Sequence, residues 1–205
     1  MKAIPWWAVG AGIAAPVLLV GGFLVATALQ PASYSPLRDT ISELAGRGAT
    51  DSWVMTMALV GVGASYLIAA LGLRPAAVAG RVLLATGGVT TLSIAVFRQP
   101  RLGYSLAHEL AVIATVSTCC TWPVFASRRA NPAPLLTRPP SLAAAGVSLG
   151  LAAWYALESH GSLLGLAERC AASAPPLWLL AVVVTSRCAL AHRTVPRDTP
   201  ARAPW

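Results

Sequence analysis

Apolar residues run along this chain in six long blocks broken by short polar interruptions. The blocks cover residues 5–29, 52–73, 80–98, 104–126, 141–158 and 170–191. Each is close to or above the ~20 mainly apolar residues that a helix needs to cross the hydrocarbon core of a bilayer. The pattern predicts an all-α, polytopic membrane protein: a bundle of six transmembrane helices forming one domain over residues 1–191. The first block is too long for the apolar core of a signal peptide and no clear cleavage site follows it, so it is read as a spanning helix. Residues 192–205 carry Pro196, Pro200 and Pro204 and are expected to form a disordered cytoplasmic tail.

The connectors differ in character. Loops two and three are short, which makes spans two, three and four antiparallel neighbours. Loop four, Ser127 to Pro140, is rich in proline and arginine and reads as an extended connector. Loop one, Gln30 to Asp51, carries its own structure signal. Ser35-Pro36 suits a helix start, and Gly46 or Gly48 suits its end. Between them Leu37, Ile41 and Leu44 share one face, with Asp39 and Glu43 on the opposite one. This predicts a short amphipathic helix lying on the membrane surface. Glu43 and Arg47 are spaced for an exposed ion pair along it.

Composition fits the same picture. Of 205 residues 56% are hydrophobic and only 11% charged, with mean hydropathy +0.66. Soluble domains carry about a quarter charged residues. The net charge of +8 is distributed by topology. Lys2, Arg74, Arg81, Arg128, Arg129, Arg138, Arg187, Arg193, Arg197 and Arg202 flank one face of the bundle. Arg38, Arg47, Arg98, Arg101 and Arg169 flank the other. The positive-inside rule then puts both termini in the cytoplasm. The basic residues favour anionic lipid headgroups over nucleic acid, because they are spread over short loops.

Six of the seven acidic residues, Asp39, Glu43, Asp51, Glu109, Glu158 and Glu168, fall on the outer side. A carboxylate near hydrocarbon is costly unless paired or protonated, so a one-sided set of acids points to the place where chemistry or binding would sit. Glu109, next to His108 inside span four, has the strongest claim. The face of His108 continues through Thr115, Cys119 and Trp122. Thr86, Thr90 and Ser93 form a second polar stripe in span three, and Thr56 and Tyr66 belong to span two. Such stripes serve helix packing or line a cavity. Glu158 closes span five and could face His108 or Glu109 across a cavity, where burial would keep a carboxyl neutral and able to donate a proton. Asp39 and Glu43 complete the candidate acids. Glu168 and Arg169, with His160, read as solvated loop or interface charges.

Trp53, Tyr104, Trp154 and Tyr155, together with Tyr34, gather at the outer end, and Trp178 sits deeper. They form an interfacial belt or line a substrate cavity with π-faces. Pro175-Pro176 precedes Trp178 and is expected to kink span six and open space beside it. His108, Glu109, Glu158 and His160 lack the spacing of a metal site, and no second buried histidine supports haem, so no metal or cofactor is expected. The four cysteines contain no CxxC and read as small apolar residues. There is no phosphate-binding loop, GxSxG or CxxCH.

The stretch Tyr34-Ser-Pro-Leu-Arg-Asp-Thr-Ile-Ser-Glu-Leu-Ala-Gly46, followed by Trp53, Leu71-Gly-Leu-Arg74, Phe97 and His108, resembles the DUF998 family of small bacterial multi-helix membrane proteins. The likeness covers residues 30–128 and implies a bacterial cell-membrane location. In that family an acid-containing turn often follows the third helix; here the turn is Arg98-Gln-Pro-Arg101. In size, helix count and membrane-embedded acids the chain is also similar in architecture to membrane-integral bacterial terpene cyclases. Two functions follow as expectations. The first is an enzyme that protonates a lipophilic, isoprenoid-like substrate through a carboxylic acid. The second is a transporter, lipid-binding protein or partner subunit without catalysis. Both imply a lipophilic small-molecule partner and leave room for a homo-oligomer.

Overall fold

The computed structural model describes residues 4–131 and 133–191. Its helices are α1 (Trp6–Ala28), α2 (Ile41–Ala45), α3 (Trp53–Gly72), α4 (Val78–Val96), α5 (Leu106–Ala126), α6 (Arg138–Leu157) and α7 (Leu164–Ala191); no strand occurs among the described residues. All except α2 are long and apolar enough to span a bilayer. The chain is a multi-pass helical membrane protein. The expected disordered tail lies outside the described residues.

The six spans form a closed ring in chain order. Each packs on the next, and α7 returns to pack on α1. The short connections between α3 and α4, α4 and α5, and α6 and α7 make those pairs antiparallel neighbours. One end of the ring carries loop one and α2. The opposite end carries the start of α1 and the turn where Ala77 N–H donates to Ala126 O. Loop four closes that end and is not extended. It folds back through a 3-10 turn, Pro134–Leu136, burying Ala133 and Leu136. Arg128 N–H donates to Leu136 O, and the Asn131 amide donates to Pro75 O.

Close approach of backbones sets the tight side of the ring. A Cβ on Gly63 of α3 would sit 2.8 Å from Gly88 O of α4, and one on Gly88 would sit 2.8 Å from Gly63 O. Backbone cannot step aside as a flexible side chain can. Gly88→Ala is therefore expected to cost about 1–3 kcal/mol. A Cβ on Gly146 meets nothing within 4 Å, so Gly146→Ala should be neutral or gain up to about 1 kcal/mol from helix propensity. Thermal unfolding of both variants in detergent checks the pair. The loose side is α6: 17% of its apolar window is buried, against 50% for α3. Its buried residues, Ser141, Ala145 and Ser148, leave the end of α6 nearest α2 without a buried side chain.

The structure revises the α2 region. The helix begins after Thr40, not at Ser35-Pro36, and spans five residues. It also does not lie on the surface. Ile41, Leu44 and Ala45 are buried, so α2 plugs one end of the ring. Ser35 and Pro36 instead open a turn in which Asp39 N–H donates to Ser35 O at 2.7 Å and Ser35 N–H to the Asp39 carboxylate at 2.6 Å.

Candidate functional site

A five-residue helix cannot satisfy its own ends. Side chains from elsewhere supply what α2 lacks. Thr40 and Glu43 form a capping box. The Glu168 carboxylate of α7 accepts from Ile41 N–H, from Ser42 N–H at 3.4 Å and from the Ser42 hydroxyl at 2.9 Å. At the other end the Arg98 guanidinium donates to Ala45 O at 2.7 Å, to Gly46 O at 3.2 Å and to the Ser52 hydroxyl. Under the preceding turn Arg169 donates to Pro36 O, Asp39 O and Gly165 O at 2.6, 2.9 and 2.9 Å, and to the Tyr34 hydroxyl at 2.6 Å. Its guanidinium also lies 5.7 Å from the Phe23 ring centroid and 6.0 Å from that of Tyr34. The most recognisable stretch of the sequence is thus a roof bolted to α4 and α7 by three buried or half-buried charges.

Beneath this roof, inside the ring, lies a mainly apolar cavity of about 120 Å³. Every spanning helix contributes to its wall. Leu19 comes from α1; Leu59, Val62 and Tyr66 from α3; Thr91 and Ile94 from α4. Val112, Thr115, Val116, Cys119 and Cys120 come from α5, Ala152 and Tyr155 from α6, and Glu168, Ala171, Ala172 and Pro175 from α7. Ile41 and Ser42 of α2 cover it. Residues recurring at three- and four-residue steps along α5 and α7 explain this wall: one face of each helix turns inward. Glu168 is the one acidic side chain in the lining. Thr91 and Thr115 donate their hydroxyl hydrogens to Gly87 O and Ala111 O, at 2.7 and 2.8 Å. Their oxygens keep free lone pairs.

The acids singled out from sequence do not converge here. Glu109 is exposed one position past His108, and a step of one residue turns a side chain about 100° around the helix. His108 is buried, but its Nδ1 faces Phe97 O at 2.9 Å. It ties the start of α5 to the end of α4, and its backbone is capped by Ser105. Glu158 ends α6, and its carboxylate accepts from Leu163 N–H at 3.4 Å within its own loop. Glu158 and His108 therefore do not face each other across the cavity. Asp39 and Glu43 line a separate polar hollow on the far side of α2, with Arg101. The expected Glu43–Arg47 helical pair is lost because α2 ends at Ala45.

Among the aromatics, Tyr155 lines the cavity. Trp53 and Tyr104 are 64% and 72% exposed, Trp154 is half-buried, and none of the three belongs to the cavity wall. Trp178 packs against the core with its Nε1–H unpartnered, also away from the cavity. Pro175 borders the cavity, within a helix that runs unbroken from Leu164 to Ala191. No group of three or more metal-binding side chains occurs among the described residues.

Sequence reasoning missed Glu168 and Arg169 as site residues because the apolar block was started after them. The signal was present in Leu163-Leu-Gly-Leu-Ala167, an apolar turn and a half that begins α7 early and carries both charges into the helix.

Glu43 has a titration of its own. Burial in the polar hollow pushes its carboxyl above the usual range, and the Asp39 charge adds to this against the Thr40 backbone hydrogen bond and Arg169. A raised folded-state value favours the fold at low pH and loses that contribution as pH rises through it. Glu43→Gln should thus unfold like the parent near pH ~4 and be slightly more stable near pH ~7. Thermal midpoints of both proteins across that range check the sign.

No curated protein and no solved structure matches the chain, so neither supports the likeness to terpene cyclases. A family model described as "Protein of unknown function (DUF998)" matches residues 13–185. It extends well beyond residues 30–128 and takes in all of α6 and the Glu168–Arg169 pair of α7. Covering most of the sequence, it establishes that the chain belongs to the DUF998 family.

Proposed function

We propose that this protein binds a lipophilic small molecule in the cavity beneath α2, with Glu168 at the polar end of the site and α2 as its roof. The observation that carries this reading is the wall itself: an apolar space enclosed by all six spans, with a single carboxylate in its lining. Ligand sites have this composition, mostly apolar with a few fixed polar groups. The loosely packed half of α6 beside Ala152 and Tyr155 offers a route from the bilayer. The charge asymmetry of the loops supports a roof facing outward and termini in the cytoplasm.

Filling the space tests the reading. Lipophiles released from the purified protein and identified by mass spectrometry should be depleted in Ala171→Phe, while a Gly146→Ala control keeps them. Equal recovery from Ala171→Phe would remove the cavity from the account. Glu109→Gln and Glu158→Gln, both outside the cavity wall, are expected to retain the parent's complement.

A second reading, acid-initiated chemistry on an isoprenoid-like substrate, is favoured by the presence of a carboxyl in the cavity at all. It passes the acid role from Glu109, Glu158, Asp39 and Glu43 to Glu168. Glu168 accepts three hydrogen bonds as arranged, so the proton to be donated would have to sit at the one acceptor position that remains. Turnover that survives Glu168→Gln would exclude this chemistry.

A further inference from the structure

We infer that the molecule taken by this cavity is a lipophilic alcohol: a neutral chain or ring whose hydroxyl donates a hydrogen bond to Glu168. The inference rests on the lipophile-binding reading and specifies its ligand. The polar atoms of the wall have fixed roles. All three partners of the Glu168 carboxylate are donors, two backbone N–H groups and the Ser42 hydroxyl. A carboxylate offers about four acceptor positions, so roughly one remains. Thr91 and Thr115 have spent their hydrogens on helix carbonyls and can only accept. The hydroxyls of Tyr66 and Tyr155 can act either way. The fixed groups therefore call for a donor.

Charge narrows the choice further. A fatty carboxylate or a phosphate would set a second anion beside Glu168 in an apolar space, where like charges repel strongly. A protonated amine would have to leave water for a site whose anion is already held by three hydrogen bonds and followed in the chain by the buried Arg169 guanidinium. A hydroxyl supplies the missing hydrogen bond without carrying charge. Size sets the third limit. An apolar cavity of ~150 Å³ takes a benzene-sized group, so about 120 Å³ accommodates the polar head and its first few carbons. The remainder of the chain would extend past α6 toward lipid.

The isoleucines provide a site-specific readout. Ile41 and Ile94 line the cavity, whereas Ile13, Ile68 and Ile113 are exposed on the outside of the ring and report partitioning into the bilayer. The full chain in nanodiscs, labelled at the isoleucine δ-methyls, is titrated with octane, 1-octanol, octylamine and octanoate at matched bilayer mole fraction. Octanol should shift Ile41 and Ile94 at about tenfold lower concentration than octane or octanoate, the worth of one charge-assisted hydrogen bond. Octylamine should fall between. In Glu168→Gln, whose amide can donate, the preference of octanol over octanoate should collapse. Should that variant lose its ordered spectrum, Tyr155→Phe serves instead: it removes a lining hydroxyl able to donate to the alcohol oxygen and should weaken octanol about threefold without affecting octane. Octanoate binding as well as octanol would overturn the alcohol assignment and leave the cavity reading standing. If no probe shifts Ile41 and Ile94 beyond Ile13, Ile68 and Ile113, the cavity reading falls with it.

Discussion

Arg169→Met should destabilise this protein by more than about 3 kcal/mol, the largest loss expected from any single side chain in the roof. Arg169 is 9% exposed, and its guanidinium holds three carbonyls and the Tyr34 hydroxyl. Methionine matches much of its length but withdraws the guanidinium from all four; Tyr34 still reaches Asp39 O, whereas Pro36 O is left bare, and a buried unsatisfied group costs roughly 1–3 kcal/mol, to which the lost charge-assisted bonds add. Arg169→Lys should recover part of the loss, since an ammonium keeps the charge but lacks the planar fork that reaches Pro36 O and Tyr34 together. Thermal or denaturant unfolding in detergent ranks parent, lysine and methionine variants in that order. A methionine variant within ~0.5 kcal/mol of the parent, the range of an ordinary surface change, would mean that the roof is held by something else.

The second large effect belongs to Glu168→Ala. Its carboxylate is the shared partner of Ile41 N–H, Ser42 N–H and the Ser42 hydroxyl. Without it the first turn of α2 has only Thr40 to cap it. Two N–H groups, one buried and one half-buried, stripped of their acceptor are worth about 2–4 kcal/mol. The effect should be local, because Arg98 still holds the far end of α2 and the ring of six spans does not depend on it. Hydrogen exchange read by mass spectrometry should show residues 40–46 exchanging on the order of a hundredfold faster, while peptides from α3 are unchanged. Glu168→Gln retains one acceptor oxygen and should fall between. Unchanged protection over α2 in the alanine variant would contradict the bonding described here.

The two variants also explain what could be read from the residues alone. Spanning helices are legible because a bilayer demands their length and composition. The blocks at 52–73 and 104–126 agree with α3 and α5 to within a residue or two at each end. The errors cluster where a long-range partner decides. Ser35-Pro36 carries a sound local helix-start signal, yet its turn is fixed by Arg169, 133 residues away from Pro36. The Glu168–Arg169 pair looked like a boundary because charge commonly ends a membrane span. In this protein the charges are buried one turn inside α7, where the roof supplies donors for one and acceptors for the other.

Glu109 and His108 illustrate the converse. Their position inside a span was correctly read, and an ionisable group within a membrane helix is a reasonable starting point for a site. Direction then decides their use. Val112, Thr115, Val116 and Cys119 share the inward face of α5, and His108 lies on that face one turn above, committed to Phe97 O. Glu109 is turned away from it. Facing is set by how α4, α5 and α6 pack, which a single helix's sequence does not contain. Thr115 and Cys119, picked out as part of a polar stripe, do reach the cavity; Thr86 and Ser93 bond their own helix at Val82 O and Val89 O.

A structure of the protein crystallised from a lipid mesophase, at a resolution that shows bound lipid, would reveal what fills the cavity. Continuous density is expected in the space between Tyr66, Thr115 and Tyr155, ending in a polar atom at hydrogen-bonding distance from Glu168, with α2 closed above it. A closed α2 over a space filled by Tyr66 and Tyr155 themselves, with bound lipid only outside the ring, would contradict it.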